Sequence, residues 1–181
     1  MNQPIGIAPA LRPEEAQERH TLSVLVDNEP GVLARVIGLF SGRGYNIDSL
    51  TVSETEHERS LSRITIVTTG TPMVVEQIKH QLARLVPVHR VADLTTDSRD
   101  AIERELALVK VSGRGEQRLE ALRLAQAFDA NTIDATLESF VFEVTGATGD
   151  IERFVRLMAS VGMVEVSRTG IAAITRGSEA T

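Results

Sequence analysis

Apolar residues recur along this chain at two spacings, and the two alternate in a regular order. Thr21 to Val26 (TLSVLV) alternates as a half-buried strand does. Val32, Leu33, Val36, Ile37, Leu39 and Phe40 then fall on one helical stripe. Pro30 stands where that helix begins, and its missing N–H would be an orphan at a first helical position anyway. Gly42 and Gly44 supply the stop. Ile47, Leu50 and Val52 return to the strand period, HERS (57–60) is a polar turn, and LSRITIVTT (61–69) completes a hairpin. Thr71-Pro72 opens a second helix carrying Val75, Ile78, Leu82 and Leu85, which Pro87 ends, and Val88 to Thr95 is a last strand. The order is β-α-β-β-α-β, with two helical crossovers around a hairpin. Such a chain makes a four-stranded antiparallel sheet with both helices on one face.

A polar stretch (96–102, TDSRDAI) follows, and the order then repeats. LALVKVSG (106–113) reads as a strand, and 116–128 as a helix with Leu119, Leu122, Ala125 and Phe128 inward. Residues 131–147 form a strand pair. Asp150 is placed to cap a helix whose Ile151, Phe154, Val155, Met158 and Val161 face the core, and Val164 to Ile174 closes the unit. The expected fold is α+β, two tandem ferredoxin-like βαββαβ units. The expected divisions are a flexible tail (1–19), a first domain (20–95), a linker (96–102), a second α+β domain (103–175) and a tail (176–181).

Composition narrows the partners. The chain has 181 residues and a net charge of −6, with the acidic excess spread over both halves, so neither half offers the basic face that nucleic-acid backbones require. The same element order serves RNA-recognition modules, but 3% aromatic content leaves little for stacking on bases. With no cysteine there is no disulfide, thiol nucleophile or thiolate metal site. No apolar run approaches the ~20 residues of a membrane span, and the N-terminus has no signal-peptide pattern, so a cytoplasmic protein is expected. Two units of this size each have a thin core, which favours pairing with each other or with another chain.

Catalytic constellations do not emerge. His20, His57, His80 and His89 are scattered and read as surface residues. Glu54, Glu56 and Glu58 read as a solvated strand face rather than a cation site. SGRGEQ (112–117) and GATGD (146–150) read as tight strand-to-helix turns, since neither matches a phosphate-binding glycine motif. The stretch from Asp27 to Asn46 differs in that its parts fit a single ligand. A helix start offers free N–H groups and a positive dipole end to a carboxylate. Gly31 permits close approach to the backbone, Asn28 and Asn46 offer donors and acceptors to the ends of a zwitterion, and Val32 and Leu33 offer apolar contact to an aliphatic side chain. The same residues also describe an ordinary helix with Asn28 in its cap.

The stretch DNEPGVLARVIGLFSGRGYNIDSLTVSET closely resembles the opening of the regulatory (small) subunits of acetohydroxyacid synthase, also called acetolactate synthase. Asn28, Glu29, Gly31, Leu33, Arg35, Gly38, Phe40, Arg43, Gly44, Asn46, Ile47, Ser49 and Leu50 carry it, and LSRITI (61–66) and SRTGIAAITRG (167–177) add to it, so that it covers about residues 20–177. The resemblance implies that the first unit is an ACT domain. It also implies a homodimer formed through those domains, with Asn28 and Gly31 of one chain and Asn46 of the other holding valine, leucine or isoleucine. It further implies a non-catalytic subunit that activates a longer catalytic subunit and confers feedback inhibition in branched-chain amino-acid biosynthesis. Thiamine diphosphate, Mg2+ and FAD would belong to that partner, and this chain would need no cofactor. Pro30 removes one N–H from the helix start, so a carboxylate there would rely on later amides. A free-standing amino-acid-binding ACT protein that regulates some other enzyme is the alternative.

Overall fold

The computed structural model describes residues 16–56, 60–96 and 101–178. Its first unit comprises β1 (Glu18–Asp27), α1 (Val32–Arg43), β2 (Ser49–Glu56), β3 (Leu61–Gly70), α2 (Pro72–Leu82) and β4 (Val88–Asp93). The second comprises β5 (Ile102–Ser112), α3 (Glu116–Ala127), β6 (Asn131–Ala135), β7 (Ser139–Gly146), α4 (Thr148–Ser160), β8 (Met163–Arg168) and β9 (Ala172–Ile174). Strand order is β2-β3-β1-β4 in the first sheet and β6-β7-β5-β8 in the second, all pairs antiparallel, with β9 added along the start of β5. The expected α+β class and the repeated βαββαβ order are both present.

Each unit buries one face of its sheet under its two helices. In the first, Leu22, Val24, Val26, Ile64 and Ile66 meet Val32, Val36 and Phe40 of α1 and Val75, Ile78 and Leu82 of α2. In the second, Ala107, Val109, Val111, Phe140, Phe142 and Val144 meet Ala121 and Ala125 of α3 and Ile151, Phe154 and Met158 of α4. Full burial of each large aliphatic or aromatic side chain stabilises by about 1.5–3 kcal/mol, so the helical stripes account for where the helices lie.

Several boundaries differ from those expected. β1 begins at Glu18, inside the stretch read as a tail, whose residues up to 15 lie outside the described ones. Residues 57–59, 97–100 and 179–181 lie outside them too, and with them His57, Glu58, most of the expected linker and the end of the second tail. Pro30 is not the first helical residue: α1 is capped by Gly31, in the left-handed region at φ +88, and begins at Val32. Asp150 is not a cap but sits in the first turn of α4, where Ala147 is the cap and Asp150 pairs with Arg153. On α3, Ala125, Leu122 and Phe128 face the core as expected, but Ala121 is buried in place of Leu119, which is 56% exposed. The closing segment breaks at Gly170 (φ +79) into β8 and β9.

That break joins the two units. Ile171 and Ala173 are buried with Val67 and Leu94, and Ala92 is partly buried beside them, on the face of the first sheet turned away from its helices. Ser49 Oγ accepts from the Ile171 N–H (3.4 Å), and Thr51 Oγ1 donates to the Thr169 carbonyl (3.4 Å). Strand β9 thus belongs to the second unit by pairing and to the first by packing.

Candidate functional site

The α1 start is held by two backbone bonds and one side-chain contact. After β1, the Asp27 N–H donates to the Pro87 carbonyl (2.9 Å) and the Asn28 N–H to the Ser60 carbonyl (2.7 Å). His89 Nε2 lies 2.6 Å from Asp27 Oδ1, tying β4 to the same corner. The chain then turns through Glu29 and Pro30, the Val32 N–H donating to Glu29 O (3.3 Å), and the helix begins with the Arg35 N–H donating to Gly31 O (3.0 Å). Gly31 takes a left-handed conformation that L side chains rarely adopt, and a Cβ there would meet nothing within 4 Å, so the space beside it is open. The N–H groups of Leu33 and Ala34 lie in the first turn, where no preceding turn can receive them.

Asn28 is exposed, and α1 has no side-chain cap, so the ordinary capped-helix reading of Asn28 does not hold. Val32 is 4% exposed and belongs to the core, so of the two apolar residues expected to contact a ligand it is turned away; Leu33, 37% exposed, is turned outward.

Asn46 follows the other end of α1. Gly44, at φ +71, closes the helix, and the Tyr45 N–H donates to Phe40 O (3.0 Å). A helix of 12 residues spans about 18 Å. Asn28 and Gly31 therefore stand at one end of α1 and Asn46 at the other, and a single protomer does not bring them together.

Around Asn46 lies a set of bonds that residue spacing did not reveal. Its Nδ2 donates to Asp48 Oδ1 (2.5 Å), and Thr69 Oγ1 donates to Asp48 Oδ2 (2.7 Å). Thr68 Oγ1 donates to the Asn46 carbonyl (2.7 Å), and the Asp48 N–H to Val67 O (2.8 Å). The available signal was Asp48 itself, two residues on in the quoted motif; Thr68 and Thr69 come from β3 and no local pattern points to them.

The histidine expectation needs correction at one position. His20 is 2% exposed and its Nδ1 lies 2.8 Å from Oδ2 of Asp93, itself 1% exposed, so it is a core residue rather than a surface one. His80 and His89 are exposed. Among the described residues no three His, Asp or Glu side chains gather as a metal site requires, and no helix is long and apolar enough to cross a membrane.

Between the units, a cleft of about 730 Å3 is lined by Arg19, Asp48 and Leu50 on one side and Glu105, Glu152 and Arg168 on the other. Arg168 meets buried Glu105 through two bonds of 2.7 Å, and these hold its guanidinium protonated even more firmly than usual. On the outer face of the second sheet, the hydrogen bond from Lys110 lowers the pKa of Glu165 and raises that of Lys110. Neither arrangement offers a nucleophile beside a base.

Comparison with known proteins gives the same division in two. A family model described as the AHAS small subunit-like ACT domain matches residues 22–90. One described as the small subunit of acetolactate synthase matches residues 104–177. A probable acetolactate synthase small subunit of Archaeoglobus fulgidus is 45% identical over 161 residues, 89% of this chain and 99% of that protein. The acetolactate synthase isozyme 3 small subunit of Escherichia coli is 43% identical over 162 residues, 89% of this chain and 98% of that one. The crystal structure of an acetolactate synthase small subunit from Thermotoga maritima superposes with a TM-score of 0.80 at 38% identity, over 90% of this chain and 99% of that one.

Proposed function

The chain belongs to the acetolactate synthase small-subunit family, and from that premise we propose that it is a non-catalytic regulatory subunit. It binds the longer catalytic subunit, raises its acetolactate-forming activity and makes that activity sensitive to valine or another branched-chain amino acid. The thiamine diphosphate, Mg2+ and FAD chemistry sits in the partner. The observation that most supports this reading is the end-to-end likeness to small subunits, which takes in both units.

The effector site of this reading is shared between two copies of the chain. One supplies Asn28, Gly31 and Leu33 at the α1 start, and the other supplies Asn46. The 12-residue length of α1 supports the sharing, because it separates the two sets within one chain. An effector shifts the catalytic partner only by the difference in its affinity for two states of the assembly.

The test mixes this chain with the catalytic subunit of the same organism and follows acetolactate formation across an L-valine titration. Higher activity on mixing, then loss as valine rises, is expected. Asn28→Ala should keep the activation and raise the half-inhibitory valine concentration about tenfold or more, the worth of one hydrogen bond to a charged group. Full valine sensitivity in that variant would remove Asn28 from the site. No effect of the folded wild-type chain on the synthase would favour a free-standing amino-acid sensor.

A further inference from the structure

The bonds around Asn46 decide which end of an amino-acid effector it can meet. A carboxylate only accepts hydrogen bonds, so the side of the Asn46 amide facing Asp48 Oδ1 must be its NH2. Asp48 is itself held through Thr69 Oγ1 on its second oxygen and through its N–H on Val67 O, and the Asn46 backbone is held by Thr68. The amide is therefore oriented, and Asn46 Oδ1, an acceptor, is the group turned away from Asp48. An ammonium is donor-only and needs such an acceptor; an effector carboxylate would meet there a like charge two residues away. The α1 start is complementary in the opposite sense, with the first-turn N–H groups of Leu33 and Ala34 and the positive end of the helix dipole.

Resting on the shared effector site proposed above, we infer that Asp48 is a positioning residue that gives the site its polarity. The effector's ammonium lies on Asn46 Oδ1 and its carboxylate at the α1 start of the other copy. Thr69 acts through Asp48, and Asp48 acts through Asn46.

The test is an exchange of donor and acceptor. In the double variant Asn46→Asp with Asp48→Asn, total charge and side-chain shapes are preserved. The carboxylate now stands at position 46 and is held by an amide at position 48. L-valine binding to the full chain is measured by calorimetry. Affinity within about tenfold of wild type is expected, because position 46 still accepts from an ammonium. A greater loss, in a variant with the wild-type unfolding temperature, overturns the assignment.

If the exchanged variant does not fold, Asp48→Ala, Asn46→Ala and their combination decide the matter. The combination should bind L-valine no more weakly than Asn46→Ala alone, and additive losses would overturn the inference. Failure of the underlying reading looks different. In that case the wild-type chain binds none of L-valine, L-leucine and L-isoleucine, or neither Asn28→Ala nor Asn46→Ala weakens the binding. If L-leucine or L-isoleucine binds in place of L-valine, the same variants are measured with it.

Discussion

Replacing Gly162 by alanine is expected to destabilise the second unit by about 3 kcal/mol or more, enough to lower its unfolding temperature by more than about 10 °C. Gly162 joins α4 to β8 at φ +103, a conformation that L residues rarely adopt. A Cβ there would lie 2.3 Å from the Ser112 carbonyl oxygen, a backbone atom that cannot rotate aside. The Gly162 carbonyl meanwhile accepts from the Ser112 N–H at 2.9 Å, so any shift that relieves the clash also strains that bond. It would disturb the ladder where β8 meets the end of β5, beside the register shift at Lys110 and Val111. Gly149→Ala is the control. Gly149 is helical and its Cβ would meet nothing, so alanine there should be neutral or stabilise by up to about 1 kcal/mol. Thermal unfolding of the two variants side by side checks both, and equal behaviour would show that the backbone tolerates displacement at Gly162.

Asp93→Ala is expected to cost the first unit about 3 kcal/mol, because it removes one partner of a buried pair and leaves the other unmatched. Asp93 Oδ2 receives the hydrogen on His20 Nδ1, and its Oδ1 accepts from the Thr95 N–H at 3.0 Å. Both are lost together in alanine. Asp93→Asn keeps an oxygen and the shape of the side chain, so its cost should be clearly smaller, about 1–2 kcal/mol. Urea unfolding with unchanged slope is the measurement; equal and small losses for the two variants would mean that water reaches His20 readily. The pair has a functional neighbour. His20 lies opposite Thr68 in the β1–β3 ladder, and Thr68 holds the Asn46 carbonyl. Loosening this end of the sheet should therefore weaken L-valine binding as well.

What could be read from the residues follows the range of the interaction that decides each feature. The βαββαβ order was legible twice over, because a strand or helix shows its buried face within a few residues: Val75, Ile78 and Leu82 are a pattern before they are a core. The helix starts were less legible. Pro30 and Asp150 carry strong local preferences, yet Gly31 and Ala147 cap the helices, since the position of each cap depends on how the preceding turn leaves its sheet. On α3, Leu122, Ala125 and Phe128 do turn toward the core, but Leu119 is exposed and Ala121 is buried in its stead, an exchange that was missed because leucine outweighs alanine in any hydrophobic count. Contacts far apart in sequence were invisible. His20 was taken for a surface residue because its partner stands 73 positions away, and Thr69 gave no sign that it steadies Asp48. At the candidate site, the glycine and the two asparagines were found by motif. Their separation along α1 was legible too, as the helical stripe between them, whereas the bonds that hold Asn46 and Asp48 required the fold.

The apolar contact of Ile171 and Ala173 on Val67 and Leu94 also orders events in time. A chain made at roughly 5–20 residues per second completes the first sheet several seconds before β9 exists, since the whole second unit is translated in between. For that interval the first unit has one dry face and one wet face bearing Val67 and Leu94. Its polar neighbours on that face, Thr21, Ser23 and Thr65, dilute the exposed patch and suit a nascent sheet that must wait for its cover.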